Sequence, residues 1–306
     1  MVYDVIIIGS GPAGLAAGVY AKRARLSSII IEKEYMSGGQ ILNTYEVDNY
    51  PGLPGINGFD LGMKLREHCE KLGAEFVTAE VQKVALAEDG QTKLVEIETE
   101  TYQAKTVILA MGARHRLLEV PGEEEFSGMG VSYCATCDGA FFKDRVTAVV
   151  GGGDVAVEDA LFLARGCEKV YLIHRRDSLR AAAVLQEKAM KDEKIEILWD
   201  TVVTGIQGHE QVESIGLRNK KTGEERKLSV DGVFVAVGNE PNSKIVTELL
   251  HLDKNGYISA DETGTTEVPG VFAAGDIRTK QLRQIVTAVS DGANAVTSVQ
   301  NYLNSL

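Results

Sequence analysis

The same strand–turn–helix signal occurs twice in this chain, and that repetition limits the folds open to it. The first copy, YDVIIIGSGPAGLAAGVYAKR, begins with an apolar, largely β-branched run over residues 5–8. Such a run suits a strand buried on both faces of a parallel sheet. Gly9, Gly11 and Gly14 follow in G-x-G-x-x-G spacing, with Pro12 and Ala13 inside the turn, and an alanine-rich helical stretch comes next. Strand, glycine turn and helix in that order are the context in which this spacing signals a dinucleotide site. Gly9 permits the tight turn and Gly11 lets a pyrophosphate approach the backbone. Gly14 lets the helix sit close on the strand, with its N-terminus facing the phosphates. The next strand, SSIIIE, ends in Glu32. A carboxylate there suits a ribose diol and repels a 2′-phosphate.

The second copy is RVTAVVGGGDVAVEDALFLARG. It has a β-branched run over residues 146–150, then Gly151, Gly153 and Ala156 in G-x-G-x-x-A spacing, with Asp154 directly after Gly153. Its following strand, KVYLI, leads into HRRDSLR, so His174, Arg175, Arg176 and Arg180 stand where the first copy has its acid. Cationic forks at this place suit a 2′-phosphate, which points to NADP rather than NAD or FAD. One chain thus carries two nucleotide sites of opposite preference.

The repeat runs past these turns. Each copy continues into a helix, a stretch of strand-like alternation (LVEIETET and IEILWDTVV), and a strand ending in A-x-G, at Ala110 to Gly112 and at Ala236 to Gly238. The expected fold is α/β: two Rossmann-like, three-layer ββα units of the FAD/NAD(P)-binding kind. The C-terminal stretch GVFAAGDIRTKQLRQIVTAVSDGANAV has its own strand, Gly275-Asp276 and a long helix, but is too short to form a domain alone. It is expected to return to the first unit, giving residues 1–112 and 243–306 for one domain and 113–242 for an inserted one. Two crossings, near Gly112 and Asn239, then act as a hinge.

Composition narrows the function classes. A net charge of −12 argues against a nucleic-acid binder and against docking on anionic lipid. The N-terminus lacks the positively charged start and long apolar stretch of a signal peptide, and no apolar run approaches the ~20 residues that span a bilayer. With four cysteines in 306 residues, disulfides do not hold the fold together, and the expected compartment is the cytoplasm.

There, Cys134 and Cys137 in VSYCATCDGAFF are expected to be metal-binding or redox-active. Zinc needs two further ligands at compatible spacing, and Cys69 and Cys167 are each isolated. A redox disulfide fits better. If the pair opens a helix, the dipole favours the reactive thiolate. Asp138, one residue on, is placed to pass a proton to or from a sulfur, although a plain helix N-terminal carboxylate favours the same position. Cys69 falls on a helical stripe with Leu61, Leu65 and Leu72, and is expected to be core.

GSGPAGLAA, SGGQ, ILAMGAR, VPGEEEFSGMGVSYCATCDGAFF, VVGGGDVAVEDA, HRRDSLR, and VFAAGDIR with RQIVTA occur here in one order. On these motifs the chain resembles the low-molecular-weight thioredoxin reductases of bacteria over essentially its whole length. The resemblance implies an FAD domain split around an inserted NADPH domain that carries the CxxC, in a homodimer whose partner is thioredoxin or a thioredoxin-like protein. It places Gly9, Gly11, Pro12, Ala13, Gly14, Glu32, Gln40, Asn49, Gly275, Asp276, Arg283 and Gln284 at FAD. It places Gly151, Gly153, Asp154, His174, Arg175, Arg176 and Arg180 at NADPH.

The resemblance also implies that Cys137 lies against the flavin, that Cys134 attacks the partner's disulfide, that Asp138 supplies a proton, and that the domains rotate between flavin reduction and flavin oxidation. Two positions depart from the family: Val155 stands where a hydroxyl residue is usual and Met111 where Thr is common. Related flavoproteins that oxidise small dithiols or accept ferredoxin electrons need no 2′-phosphate site, so the arginine cluster argues against both. A flavin carrier without disulfide chemistry has no use for Cys134, Cys137 and Asp138. A hydroperoxide-reductase subunit usually has an extra N-terminal module.

Overall fold

In the computed structural model, which describes residues 1–44, 47 and 49–306, the chain divides into two units. One comprises Met1–Arg114 and Glu240–Leu306, the other His115–Asn239. The first unit opens with β1 (Val2–Ile8), α1 (Pro12–Arg23), β2 (Ser28–Glu32), α2 (Gly58–Lys71) and β3 (Glu75–Thr78). It continues with β4 (Val81–Leu86), β5 (Lys93–Ile97) and β6 (Thr101–Leu109). The chain then crosses through β7 (Ala113–His115).

The second unit holds β8 (Val131–Ser132), α3 (Ala135–Asp138), β9 (Val146–Gly151), α4 (Asp154–Ala164), β10 (Lys169–Ile173) and α5 (Ala183–Lys191). After them come β11 (Ile195–Leu198), β12 (Thr201–Gly208), β13 (Val212–Asn219), β14 (Glu225–Ser229) and β15 (Gly232–Ala236). The return crossing is β16 (Asn239–Pro241), paired with β7, and the C-terminal segment adds β17 (Val271–Ala273) and α6 (Ile285–Asn304).

The unbroken apolar run of β1 has a simple cause. Val5 and Ile7 pack with Ala13, Ala17, Val296 and Val299 of α1 and α6, whereas Ile6 and Ile8 face Val84, Val95, Val246 and Leu250 on the opposite side. Side chains alternate across a strand, so a strand covered on both faces must be apolar at every position. The sheet order is β3-β2-β1-β6-β5-β4, parallel from β3 to β6 and antiparallel beyond. β6 is long enough to serve two partners on one edge. Its first residues pair with β5 and its last, Val107 to Leu109, with β17.

The second unit repeats the plan. Its parallel sheet runs β11-β10-β9-β15-β8, and an antiparallel sheet β12-β13-β14 forms another layer. Val149 packs with the alanines of α4, while Ala148 and Val150 face Val203, Ile215 and Leu217 of the antiparallel sheet. Both units are therefore Rossmann-like, three-layered α/β structures, as expected. Cys69 is fully buried in the first unit, and burial pushes its thiol up to about 11. Leu72, placed on the same stripe, instead caps α2 and is exposed. No helix among the described residues is long and apolar enough to cross a membrane.

Candidate active site

In the first unit, Gly9 has φ +102°, a left-handed conformation, and a Cβ there would meet the Ala110 carbonyl at 2.5 Å. A Cβ on Gly14 would lie 1.9 Å from the Gly9 oxygen, so α1 sits directly on the turn. Above Gly11 the backbone is open; Gly38 O is nearest, at 3.9 Å. Pro12 and Ala13 begin α1. Glu32, at the end of β2, accepts hydrogen bonds on one oxygen from the backbone N–H (2.7 Å) and hydroxyl (2.9 Å) of Ser10. It thereby braces the turn.

Other segments converge on this turn. Gly38 N–H donates to Ser10 O at 2.9 Å, and the Gln40 side chain donates to Ala113 O. A Cβ on Gly275 would meet Ala13 Cβ at 2.9 Å, which sets the Gly275–Ile277 turn against the start of α1. Asn49 donates to Gln284 Oε1 at 2.9 Å, and Gln284 caps α6. Arg283 stacks on Tyr257. Two buried atoms here have no hydrogen-bond partner among the described residues, Asp276 Oδ1 and Arg283 Nε. A buried acceptor and a buried donor left open beside a glycine cradle fit a polar ligand carrying hydroxyl and phosphate groups. Burial also pushes the Asp276 carboxyl up, against the nearby charges of Lys280 and Arg283.

The sequence did not single out what supports that turn. Asp291 of α6 accepts from Gly275 N–H (2.9 Å), from Arg278 Nε and an Arg278 terminal nitrogen (2.9 and 2.7 Å), and from Lys280 Nζ (2.8 Å). Arg278 and Asp291 are almost fully buried, at 1% and 3% exposure. The bonds outweigh the desolvation cost and hold the Asp291 carboxyl below its ordinary range.

In the second unit a Cβ on Gly151 would meet Ala236 O at 2.5 Å, and Gly153 has open space. Asp154 accepts from Ala182 N–H at 2.7 Å and ties the helix start to the arginine-bearing loop. Arg175, Arg176 and Arg180 are exposed, and none forms an ion pair among the described residues. His174 is placed elsewhere. It is 4% exposed and lies under the turn, its ring nitrogens each 2.9 Å from a carbonyl oxygen, of Gly151 and of Ser178. Val155 points to solvent.

The redox pair lies in the same unit. Cys134 and Cys137 are disulfide-bonded with Cα atoms 5.3 Å apart. Cys134 caps α3, which is four residues long and passes into a 3-10 turn (Gly139–Phe142). So few aligned peptides make only a small helix dipole. Asp138 Oδ2 accepts from the Ser132 hydroxyl at 2.5 Å. Burial pushes this carboxyl above the usual carboxylate range, and the Ser132 bond pulls it back. A carboxyl displaced toward neutral pH beside a disulfide suits proton transfer to or from sulfur.

The pyridine nucleotide-disulphide oxidoreductase family model matches residues 3–292. A thioredoxin reductase of Listeria innocua is 48% identical across the whole chain and 95% of its own length. One from Bacillus subtilis is 47% identical, again across the whole chain, covering 96% of its own length. The crystal structure of thioredoxin reductase from Streptococcus pyogenes superposes with a TM-score of 0.94 at 47% identity, covering 100% of this chain and 99% of that one. With these turns, this disulfide and these relatives, the chain belongs to the pyridine nucleotide-disulphide oxidoreductase family, on its thioredoxin reductase branch.

Proposed function

We propose that the chain is an NADPH-dependent disulfide reductase that carries electrons through FAD and the Cys134–Cys137 pair to the disulfide of thioredoxin. The observation that supports this most directly is the bonded CxxC with a displaced carboxyl next to it in sequence, in the unit that also presents three exposed arginines. The 9–14 turn, Glu32, Gln40, Asn49, the Gly275–Ile277 turn with Asp276, Arg283 and Gln284 would hold FAD. The turn at Gly151 and Gly153, Asp154 and the arginines would hold NADPH, with His174 supporting them from beneath. When bound, flavin and nicotinamide supply the hydride and electron transfer.

The chain's own residues do the rest. Two electrons and two protons open the disulfide into two thiols. Cys134, as thiolate, attacks one sulfur of the partner's disulfide and expels the other, which takes up a proton. Cys137 then attacks Cys134 Sγ, releases the reduced partner and restores the intramolecular bond. Asp138 holds the proton these steps exchange. In this reading the protein works as a homodimer in the cytoplasm, with 1–112 and 243–306 as the FAD domain and 113–242 as the NADPH domain.

The test is NADPH oxidation by the purified protein against a panel of thioredoxins, with Cys134→Ser alongside. Turnover that disappears in the mutant supports the relay. Flavin reduction by NADPH with no thioredoxin reduced sinks the substrate assignment.

A further inference from the structure

Ser132 is the last residue of β8 and only 6% exposed. Its hydroxyl oxygen accepts from Cys134 N–H at 3.1 Å, an ordinary local turn for serine. That bond leaves the hydroxyl proton to be placed. Two acceptors are within reach: Cys134 O at 3.4 Å and Asp138 Oδ2 at 2.5 Å. A hydroxyl has one proton, and the short contact lies in the range of charge-assisted O–H···O bonds, so the proton goes to Asp138. Cys134 O is satisfied independently by the N–H groups of Cys137 (3.2 Å) and Asp138 (3.1 Å). The backbone at the attacking sulfur and the carboxyl that serves it are thus joined through one oxygen atom.

We propose that Ser132 is a positioning residue for the disulfide chemistry: its hydroxyl aims the Asp138 carboxyl and anchors the Cys134 backbone in one continuous chain of hydrogen bonds. The proposal rests on the reading of Asp138 as the proton-carrying group. The base of the chain is rigid, because β8 pairs with β15 at Phe234 opposite Ser132. Neither hydrogen bond of the chain involves a sulfur atom, so opening the disulfide removes none of its donors or acceptors.

The hydrogen bond also bears on the charge of the carboxyl, because it favours the ionised form that burial disfavours. The elements packed most closely on α3 are the following 3-10 turn, which has no charged residue before Lys143, and α4, whose charged residues are Asp154, Glu158 and Asp159. None of these contributes to the displacement of Asp138, which has two causes, burial raising it and Ser132 lowering it. Among the described residues, Ser132 is the side chain that opposes burial there.

The experiment compares Ser132→Ala, Ser132→Thr and Asp138→Asn in the flavin-loaded protein by two readouts. One is the pH profile of thioredoxin reduction. The other is the ¹³Cγ-aspartate NMR titration of the oxidised protein, with Asp138 assigned by its loss in Asp138→Asn. Ser132→Ala is expected to move both the Asp138 titration and the matching kinetic limb to higher pH. It should also lower kcat on the order of tenfold with KM for NADPH unchanged, as misplacing a proton carrier does. Ser132→Thr, which keeps the hydroxyl, is expected to restore both. A wild-type Asp138 titration in Ser132→Ala overturns the proposal, even if turnover falls, because Ser132 is then merely structural. If instead Asp138→Asn keeps the kinetic limb, the reading of Asp138 fails, and the NMR titration judges the Ser132 bond separately.

Discussion

The ring of His115 stacks on that of Tyr133, with centroids 5.0 Å apart and planes 13° from parallel. His115 lies on the outgoing crossing strand, its Nδ1 is 2.9 Å from Asn239 Oδ1 on the returning one, and Tyr133 immediately precedes Cys134. The Tyr133 hydroxyl donates to Glu123 at 3.1 Å, and burial beside that acid pushes the phenol far up. Glu123 is 1% exposed and also accepts from two backbone N–H groups, of Leu118 and Glu119. Tyr133→Phe keeps the stack and removes one donor from a buried acid. It should cost about 1 kcal/mol in denaturant unfolding of the protein. Tyr133→Ala, which also loses the stack and its buried area, should cost clearly more.

Asp159 on α4 gives a pH signature. Burial, reinforced by Glu158, pushes its carboxyl up to about 7. A carboxyl raised on folding contributes its stability below the ordinary carboxylate range and loses it as pH rises toward the folded value. Asp159→Asn should therefore raise the melting temperature above about pH 8, by a gain on the order of 1–2 kcal/mol, and change little near pH 4. A mutant–wild-type difference independent of pH would contradict this.

Two glycine substitutions should separate packing from binding. Gly14→Ala places a carbon 1.9 Å from the Gly9 carbonyl, so the protein should purify with little flavin and reduced stability. Gly153→Ala meets nothing within 4 Å, so folding and flavin content should stay normal. Any penalty there should appear in KM for NADPH, as the added methyl crowds an approaching phosphate.

Arg176→Ala removes an exposed cation that has no ion pair among the described residues. It should leave melting unchanged and raise KM for NADPH on the order of tenfold or more, with activity on NADH unaffected. Equal losses on both nucleotides would show that the arginine does not read a 2′-phosphate.

Thiol labelling should discriminate sharply. After reduction, iodoacetamide on the folded protein should modify Cys134 and Cys137 and spare Cys69 and Cys167, both buried with raised thiol pKa values. Peptide mass spectrometry after brief exposure reads this directly.

The glycine turns and their strands were legible in the sequence because they rest on local rules: two-sided burial demands unbroken apolar runs, and close helix–strand approach excludes a Cβ. His174 shows where those rules stop. Grouped with the arginines by adjacency, it turns inward beneath the glycine turn, held by the Gly151 and Ser178 carbonyl oxygens, while Arg175 and Arg176 emerge to solvent. β10 ends at Ile173 with both of its faces buried, so its alternation gives no signal that separates His174 from the arginines. Ser132 and Asp291 had none either. The carboxyl that Ser132 meets lies 6 residues away and the partners of Asp291 lie 11 or more, and only the folded turns bring the polar atoms together.

β17 inserts beside the last residues of β6, and α6 covers α1, so the surroundings of the N-terminal glycine turn are completed by residues 271–306, the end of the polypeptide. During synthesis the whole of His115–Asn239 is made before those pieces exist. The inserted unit is thus the first that has all its own strands, while the N-terminal segment waits with the edge of β6 unpaired. A chain interrupted before Val271 retains the disulfide unit complete and lacks the strand and helix that close the other.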